Sequence, residues 1–184
     1  MKKAIQILIL ILLTTFLSCI KSDNDDSDLE YVATDIILKT KNKYSIGNVF
    51  SFINLFNHQV DKITYGTYLS NLPTDSLQYV LDFINQKPYT IDTNHKTTGY
   101  IDSKTHKITI FPKLYEMNDT LFQNNWLQTL KKLKLYELDD DKLGGHNMLI
   151  HVPKGEEKEW VNKLKSYDIV EWVELNYISE IKHH

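Results

Sequence analysis

The stretch HVPKGEEKEWVNKLKSYDIVEWVELNYI, residues 151–178, decides the fold class. It opens at the end of an apolar strand expected over 148–152. A helix is predicted over 156–167, because apolar residues recur there at helical spacing. A β-like run over 170–178 follows. The inward-facing residues of the helix are Trp160, Val161 and Leu164. This part of the chain therefore predicts a strand–helix–strand unit.

Strands and helices alternate through the preceding residues as well. Helices are expected to begin near Ser45, at Pro73 and after the capping residue Asp119. One hairpin is predicted from 99–102 and 107–111, and a second from 134–138 and 148–152 around the loop DDDKLGGHN. The remaining strands are expected over 35–40, 60–69 and 170–178. The predicted order is β-α-β-α-β-β-α-β-β-α-β.

This order predicts an α+β fold with helices packed on a mostly antiparallel sheet. The part over about 106–178 has the β-α-β-β-α-β order of a ferredoxin-like unit. The preceding part reads β-α-β-α-β, which is close to a second such unit lacking one strand. We therefore expect one globular domain over 34–184, with two related halves, 34–104 and 105–184, that share a sheet.

The opening stretch also resembles the C-terminal half of subtilase prodomains. The residues that carry the resemblance are Val152, Pro153, Gly155, Val170, Glu174, Asn176 and Tyr177. Val173 stands where that family commonly has alanine, and Leu175 replaces its proline. The resemblance implies a ferredoxin-like fold and, as one alternative function, a standalone inhibitor of subtilisin-type proteases. The candidate partner-binding residues at this end of the chain are Trp172, Glu174, Asn176 and Tyr177.

The N-terminus has the layout of a secretory signal. Two lysines precede an apolar run over 4–13, which is too short to span a bilayer comfortably. FLSC at 16–19 resembles a bacterial lipobox, so residues 1–18 are predicted to be a lipoprotein signal peptide. Lipid on Cys19 would then anchor the chain, since two or more acyl chains give stable membrane attachment. An ordinary signal peptide is the alternative.

An acidic segment follows the cysteine. Residues 20–30 contain one lysine and five acids, a composition too charged to fold, so 19–33 is predicted to be a flexible tether. Its start resembles the export signal of Bacteroidota surface lipoproteins, as the whole chain resembles uncharacterised members of that group. The expected location is the outer membrane, exposed on the cell surface. The residues of the expected export signal are Lys21, Ser22, Asp23, Asn24, Asp25 and Asp26.

Composition excludes several function classes. The 21 basic residues are all lysine and the net charge is −3, so nucleic-acid binding is not expected. A single cysteine forms no internal disulfide and no cysteine-based metal site. The chain has no nucleophile elbow, P-loop or dinucleotide-binding motif. We therefore expect no cofactor and no enzymatic activity. The leading hypothesis is a non-enzymatic module that binds an envelope protein or a glycan.

Scattered polar residues leave weaker alternatives. His95 and His106 could meet across the first hairpin, whereas His146 and His151 would lie on opposite faces of one strand. The acidic loop 139–141 is a candidate calcium site. No metal site is predicted from any of these. His183 and His184 are either native residues or the remnant of a tag.

Two further patterns each allow two interpretations. Glu171, Glu174 and Glu180 near aromatic residues suggest a glycan-active enzyme as a third function, although Glu171 and Glu174 should face opposite sides of a strand. DSL at 75–77 and DTL at 119–121 resemble O-glycosylation sites at Ser76 and Thr120, and they also fit helix N-termini.

Overall fold

The computed structural model describes residues 30–64, 66–138 and 145–178. The described strands are β1 (Tyr31–Thr40), β2 (Gln59–Thr64), β3 (Tyr68–Ser70), β4 (Thr98–Ile101), β5 (Ile108–Phe111), β6 (Leu114–Tyr115), β7 (Leu135–Glu137), β8 (Asn147–His151) and β9 (Val170–Tyr177). The described α-helices are α1 (Ile46–Ile53), α2 (Leu77–Ile84), α3 (Thr120–Lys132) and α4 (Glu157–Leu164). Short 3-10 turns lie at Thr74–Ser76 and Pro88–Thr90.

The strands form two antiparallel sheets. One has the order β6-β2-β8-β1-β9 and the other the order β4-β5-β3-β7. All the strand pairs among the described residues are antiparallel. Helix α4 packs on β9 and β1. Helix α2 packs against β4, and helix α3 packs against β7. The predicted α+β class is therefore confirmed.

Each sheet belongs to a separate ferredoxin-like unit. One unit, which we call the inner unit, is inserted into the chain of the other, the outer unit. The outer unit is β1-α1-β2-β8-α4-β9, in which β8 lies between β1 and β2, and β9 lies beside β1. The inner unit is β3-α2-β4-β5-α3-β7, with β5 and β7 in the corresponding places. Strand β6 adds to the edge of the outer sheet. The inner unit thus occupies the connection between the second and third strands of the outer unit.

The number of units agrees with the expectation, but their arrangement does not. The unit expected over 106–178 draws its strands from both sheets, and both 34–104 and 105–184 contribute strands to each sheet. The two expected halves therefore do not form two complete units on one common sheet. The strand expected over 60–69 is divided between β2 and β3, and the hairpin expected over 134–152 does not form because β7 and β8 belong to different sheets.

The chain first passes from one sheet to the other at Gly66. A Cβ atom there would lie 2.8 Å from Cε2 of Tyr68 and 3.4 Å from Nε2 of His146. The burial pattern changes phase across this glycine, since Ile63 and Tyr68 are both buried although five residues apart. Because glycine has no side chain, β3 can begin in a new direction close to His146, where the chain crosses back to the outer sheet.

After β6 has paired with β2 and β7 has completed the inner sheet, the chain returns to the outer sheet at Gly145 to form β8. This residue has φ of +83°, and a Cβ atom there would lie 2.2 Å from the carbonyl oxygen of Thr40. Next to it, the amide of Thr40 donates to the carbonyl of His146 at 3.0 Å, and the amide of His146 donates to Oγ1 of Thr40 at 3.0 Å. Glycine satisfies both the positive φ and the close approach.

The two units share one hydrophobic core. Ile36 and Leu38 of the outer sheet belong to the same buried cluster as Ile108 and Ile110 of the inner sheet. Trp126 of α3 is completely buried in that cluster. The buried apolar residues of the strands lie on one face of each sheet, and none of the described helices packs against the other face of the outer sheet.

Candidate partner-binding face

The candidate site is the side of the outer sheet that points away from the core, which we call the open face. Successive side chains on a strand point to opposite sides. In β1, Ile36 and Leu38 are fully buried, whereas Ile37 and Lys39 are partly exposed. The open face therefore carries the odd-numbered residues of β1 and their cross-strand neighbours.

One row of side chains crosses all five strands of the open face. The paired residues, in spatial order, are Glu174, Ile37, Leu149, Lys62 and Tyr115. At about 4.8 Å per strand, this row is about 19 Å wide. Its centre is apolar and half-buried, and its ends carry an acid, a lysine and an aromatic ring. The carboxylate of Glu174 and the ammonium of Lys62 form no ion pair with any described residue.

A second row lies beside the first, with the exposed ring of Trp172 at its edge. Trp172 pairs with Lys39, which pairs with Asn147. Glu171 sits at the register shift in β9, and its carboxylate lies 3.0 Å from Nζ of Lys39. This ion pair fixes the lysine beside the indole ring but is too exposed to add much stability.

The third row is a hydrogen-bonded cluster around Asp35. Its Oδ1 lies 2.9 Å from Nδ1 of His151, and its Oδ2 accepts a hydrogen bond from Nδ2 of Asn176 at 3.1 Å. Oγ1 of Thr34 donates to Oδ1 at 3.2 Å. Asp35 is only 8% exposed, so these partners replace the water that the carboxylate would otherwise bind.

The structure brings together three of the four predicted partner-binding residues. Trp172, Glu174 and Asn176 alternate along β9 and lie one to each row of the open face. Tyr177 follows the other phase of the strand and pairs with Tyr31 at the end of the sheet. The sequence missed the contributions of β1, β2 and β8, because these depend on strand order.

A cavity of about 420 Å³ lies at the start of β2, where Gln59 borders the open face. Its lining consists of Ile53, Asn54, Phe56, Asn57, His58, Gln59, Glu116, Asn118 and Asp119. The ring of His58 packs edge-on against Trp160 with 4.1 Å between centroids. Burial, followed by the charge of Lys163, lowers the pKa of His58, so its ring is neutral at neutral pH. Glu171 and Glu174, on which the glycan-active alternative depended, do not line this cavity.

A buried polar cluster lies where the chain crosses between the units. His146 is 3% exposed, and its Nε2 lies 3.4 Å from Oε2 of Glu137. The other oxygen of Glu137 accepts a hydrogen bond from the amide of Ile46, the first residue of α1. The hydroxyl of Tyr68 and Nε1 of Trp126 are buried as well. Burial lowers the pKa of His146 to about 4 and raises the pKa of Glu137, which favours the neutral form of both groups despite their ion-pair distance.

The remaining predicted sites are dispersed. Asp119 caps α3 by accepting from the amide of Leu121 at 2.7 Å, as expected. Thr120 is exposed and Ser76 half-exposed, so glycosylation at both stays a prediction. His95 contacts Asp92 rather than a second histidine. Within the described ranges, no three metal-ligating side chains are grouped to hold an ion.

Several predictions lie outside the described residues. These concern the signal peptide 1–18, Cys19, the export signal 21–26, the acidic loop 139–141, and the residues Glu180, His183 and His184. Among the described helices, none has the length and apolarity required to cross a membrane. Comparison of the chain with protein-family models, with curated proteins and with solved structures gives no match.

Proposed function

We propose that the chain is a non-enzymatic protein-binding module that binds its partner through the open face. The row from Glu174 to Tyr115 carries the proposal, because it is a continuous side-chain surface across five strands with an apolar centre. A sheet normally buries such a face against a second layer. The outer unit supplies a helical layer on one side only, so a partner would complete the other.

The composition of the face indicates the kind of partner. Its width of about 19 Å matches two helices packed about 9 Å apart. Trp172 supplies an aromatic anchor of the type that dominates interface energetics. Glu174 and Lys62 offer opposite charges without partners of their own among the described residues, which favours a protein surface with a complementary pair. A polyanion is disfavoured because Glu171 already occupies the ammonium of Lys39.

Replacing Trp172 tests the face. Trp172→Ala should weaken partner recovery about tenfold or more, because the indole is the largest exposed group on the face. The measurement is crosslinking of the tagged chain in intact envelopes, followed by quantitative mass spectrometry against the wild type. Tyr136→Ala is the matched control, because Tyr136 is an aromatic of similar exposure on the inner sheet, 38% against 36%.

Equal recovery by the wild type and Trp172→Ala would contradict binding at the open face. Loss of recovery in Tyr136→Ala but not in Trp172→Ala would move the site to the inner sheet. Recovery of a subtilisin-type protease that the chain inhibits would favour the inhibitor alternative. The resemblance to subtilase prodomains supports that alternative, since its residues 151–178 supply the end of β8 and all of α4 and β9 of the outer unit.

We also propose that lipid on Cys19 holds this module at the outer membrane. The supporting features are the signal-like residues 1–18, the FLSC motif and the acidic segment after it. Cells fed an alkyne analogue of palmitate should label the wild type and not Cys19→Ala. Labelling that persists in Cys19→Ala would contradict the anchor. Surface exposure is then tested by protease digestion of intact cells.

A further inference from the structure

We propose that the junction cavity, formed by residues 53–59 and 116–119, is a binding site for a neutral saccharide. The cavity borders the open face at Gln59, which pairs with His151, but the proposal does not depend on the protein-binding function. Its volume of about 420 Å³ lies within the range of about 300–1,000 Å³ typical of small-molecule sites.

Both units hold the walls of the cavity in place. Asn54 of the outer unit and Gln123 of the inner unit exchange two amide hydrogen bonds, at 2.9 and 2.8 Å. The side chain of Asn118 accepts a hydrogen bond from the amide of Val60 at 3.3 Å. Since each of these contacts joins the two units, the cavity is formed before any ligand enters.

The lining provides the hydrogen-bonding groups that a sugar requires. The side chains of Asn57, Gln59 and Glu116 form no hydrogen bond with any described residue. Amides offer both donors and acceptors, and a carboxylate offers acceptors, so adjacent hydroxyl groups can each find a partner. Phe56 adds an apolar ring to the lining, against which the C–H face of a pyranose can pack.

His58 adds a buried polar atom at the same place. Its Nε2 is buried and has no hydrogen-bond partner, although its ring is fixed between Trp160 and Phe56. A buried polar atom without a partner is uncommon in native proteins. Because this atom has almost no accessible surface, a ligand in the cavity would contact other atoms of the imidazole.

The charges of the lining select against anionic ligands. Glu116 and Asp119 both line the cavity, whereas none of the described lysines is in the lining and Lys163 lies behind it, with Nζ 5.7 Å from the centroid of Phe56. An acidic sugar or a phosphate would therefore lie beside two carboxylates, with one lysine behind the aromatic lining to offset them. A neutral saccharide of one or two rings fits both the charge and the volume.

The test is a titration of the full-length chain, held in a zwitterionic detergent that contains no sugar. The probes are cellobiose, maltose and N,N′-diacetylchitobiose, with glucuronic acid as the acidic counterpart. The readout is the imidazole resonance of His58, which reports on this cavity. At least one neutral disaccharide should shift that resonance saturably, and glucuronic acid should bind at least tenfold more weakly.

Variants separate the cavity from the rest of the surface. Asn57→Ala and Glu116→Ala should each weaken binding about tenfold, because each removes a free hydrogen-bonding group from an exposed position. Gln78→Ala, an exposed amide on α2, and Trp172→Ala, on the open face, should leave the affinity unchanged. The proposal is overturned if no probe shifts the resonance, if both cavity variants bind as the wild type does, or if glucuronic acid binds equally well.

Discussion

Lowering the pH from 7 to 4.5 should destabilise the wild type by about 2.5 kcal/mol more than the His146→Gln variant. The imidazole of His146 is buried at the crossing between the two units, and burial holds its pKa at about 4, against 6.5 for an unperturbed histidine. Glutamine keeps a neutral polar side chain of similar length at this position but cannot take up the proton.

The folded and unfolded states of the chain bind a proton at His146 over different pH ranges, and this sets the direction of the pH effect on stability. Below pH 6.5 the unfolded chain protonates His146, whereas the folded chain does not until the pH approaches 4. The stability that the neutral imidazole provides is therefore complete above pH 6.5 and is lost progressively as the pH falls toward 4. A shift of one pKa unit corresponds to about 1.4 kcal/mol, which sets the size of the effect.

Neighbouring titratable groups can be separated from His146. Burial raises the pKa of Glu137, so its carboxyl takes up a proton more readily in the folded state and opposes the acid loss. Glu137→Gln should therefore steepen the loss. His58 acts in the same direction as His146, because its pKa is also lowered, and His58→Gln measures its share. The lowered carboxyl pKa values, such as about 2 for Asp92, matter mainly below this window.

The measurement is urea denaturation of the wild type and His146→Gln at pH 7, 6, 5 and 4.5. The free energy of unfolding of the wild type minus that of His146→Gln should fall by about 2.5 kcal/mol between pH 7 and pH 4.5. Parallel pH dependences for the two proteins would show that His146 is not held neutral by burial.

The helices and the edge strand β9 were predictable from local pattern. The stripes of α1 and α2, the Asp119 cap of α3 and the alternation in β9 are all encoded within a few neighbouring residues. The same alternation is enough to place Trp172, Glu174 and Asn176 on one side of β9 and Tyr177 on the other. This alternation shows which side chains share a face of the strand. It does not depend on the position of the strand in the sheet.

The nested arrangement was not predictable, because period-two alternation does not identify the sheet to which a strand belongs. In the run over 60–69 the residues 63, 65, 67 and 69 alternate in sequence, yet the chain changes sheets at Gly66 and buries Tyr68 rather than Leu69. Two local signals were present: a glycine inside a strand pattern, and a loop of nine residues between β7 and β8, which is long for a hairpin. The cluster of Tyr68, Glu137 and His146 exists only because these two crossings lie side by side.

Trp126→Ala should lower the free energy of unfolding by about 3–5 kcal/mol. Trp126 is completely buried on α3, with its ring edge-on to Tyr68 at 5.5 Å and to Tyr89 at 6.5 Å between centroids. Removal of the indole leaves a large void in a core to which both units contribute. Leu121→Ala on the same helix is the control, because Leu121 is 74% exposed and should change stability little.

Trp126→Ala also tests whether the nested units unfold together. Of the three tryptophans, Trp160 and Trp172 lie in the outer unit, so they become the fluorescence reporters of that unit once Trp126 is removed. Circular dichroism reports the helices of both units. Because one core joins the units, both signals should move to the same lower denaturant midpoint. If the outer-unit fluorescence keeps the midpoint of the Leu121→Ala control while the circular dichroism midpoint falls, the inner unit unfolds on its own and the shared core does not couple them.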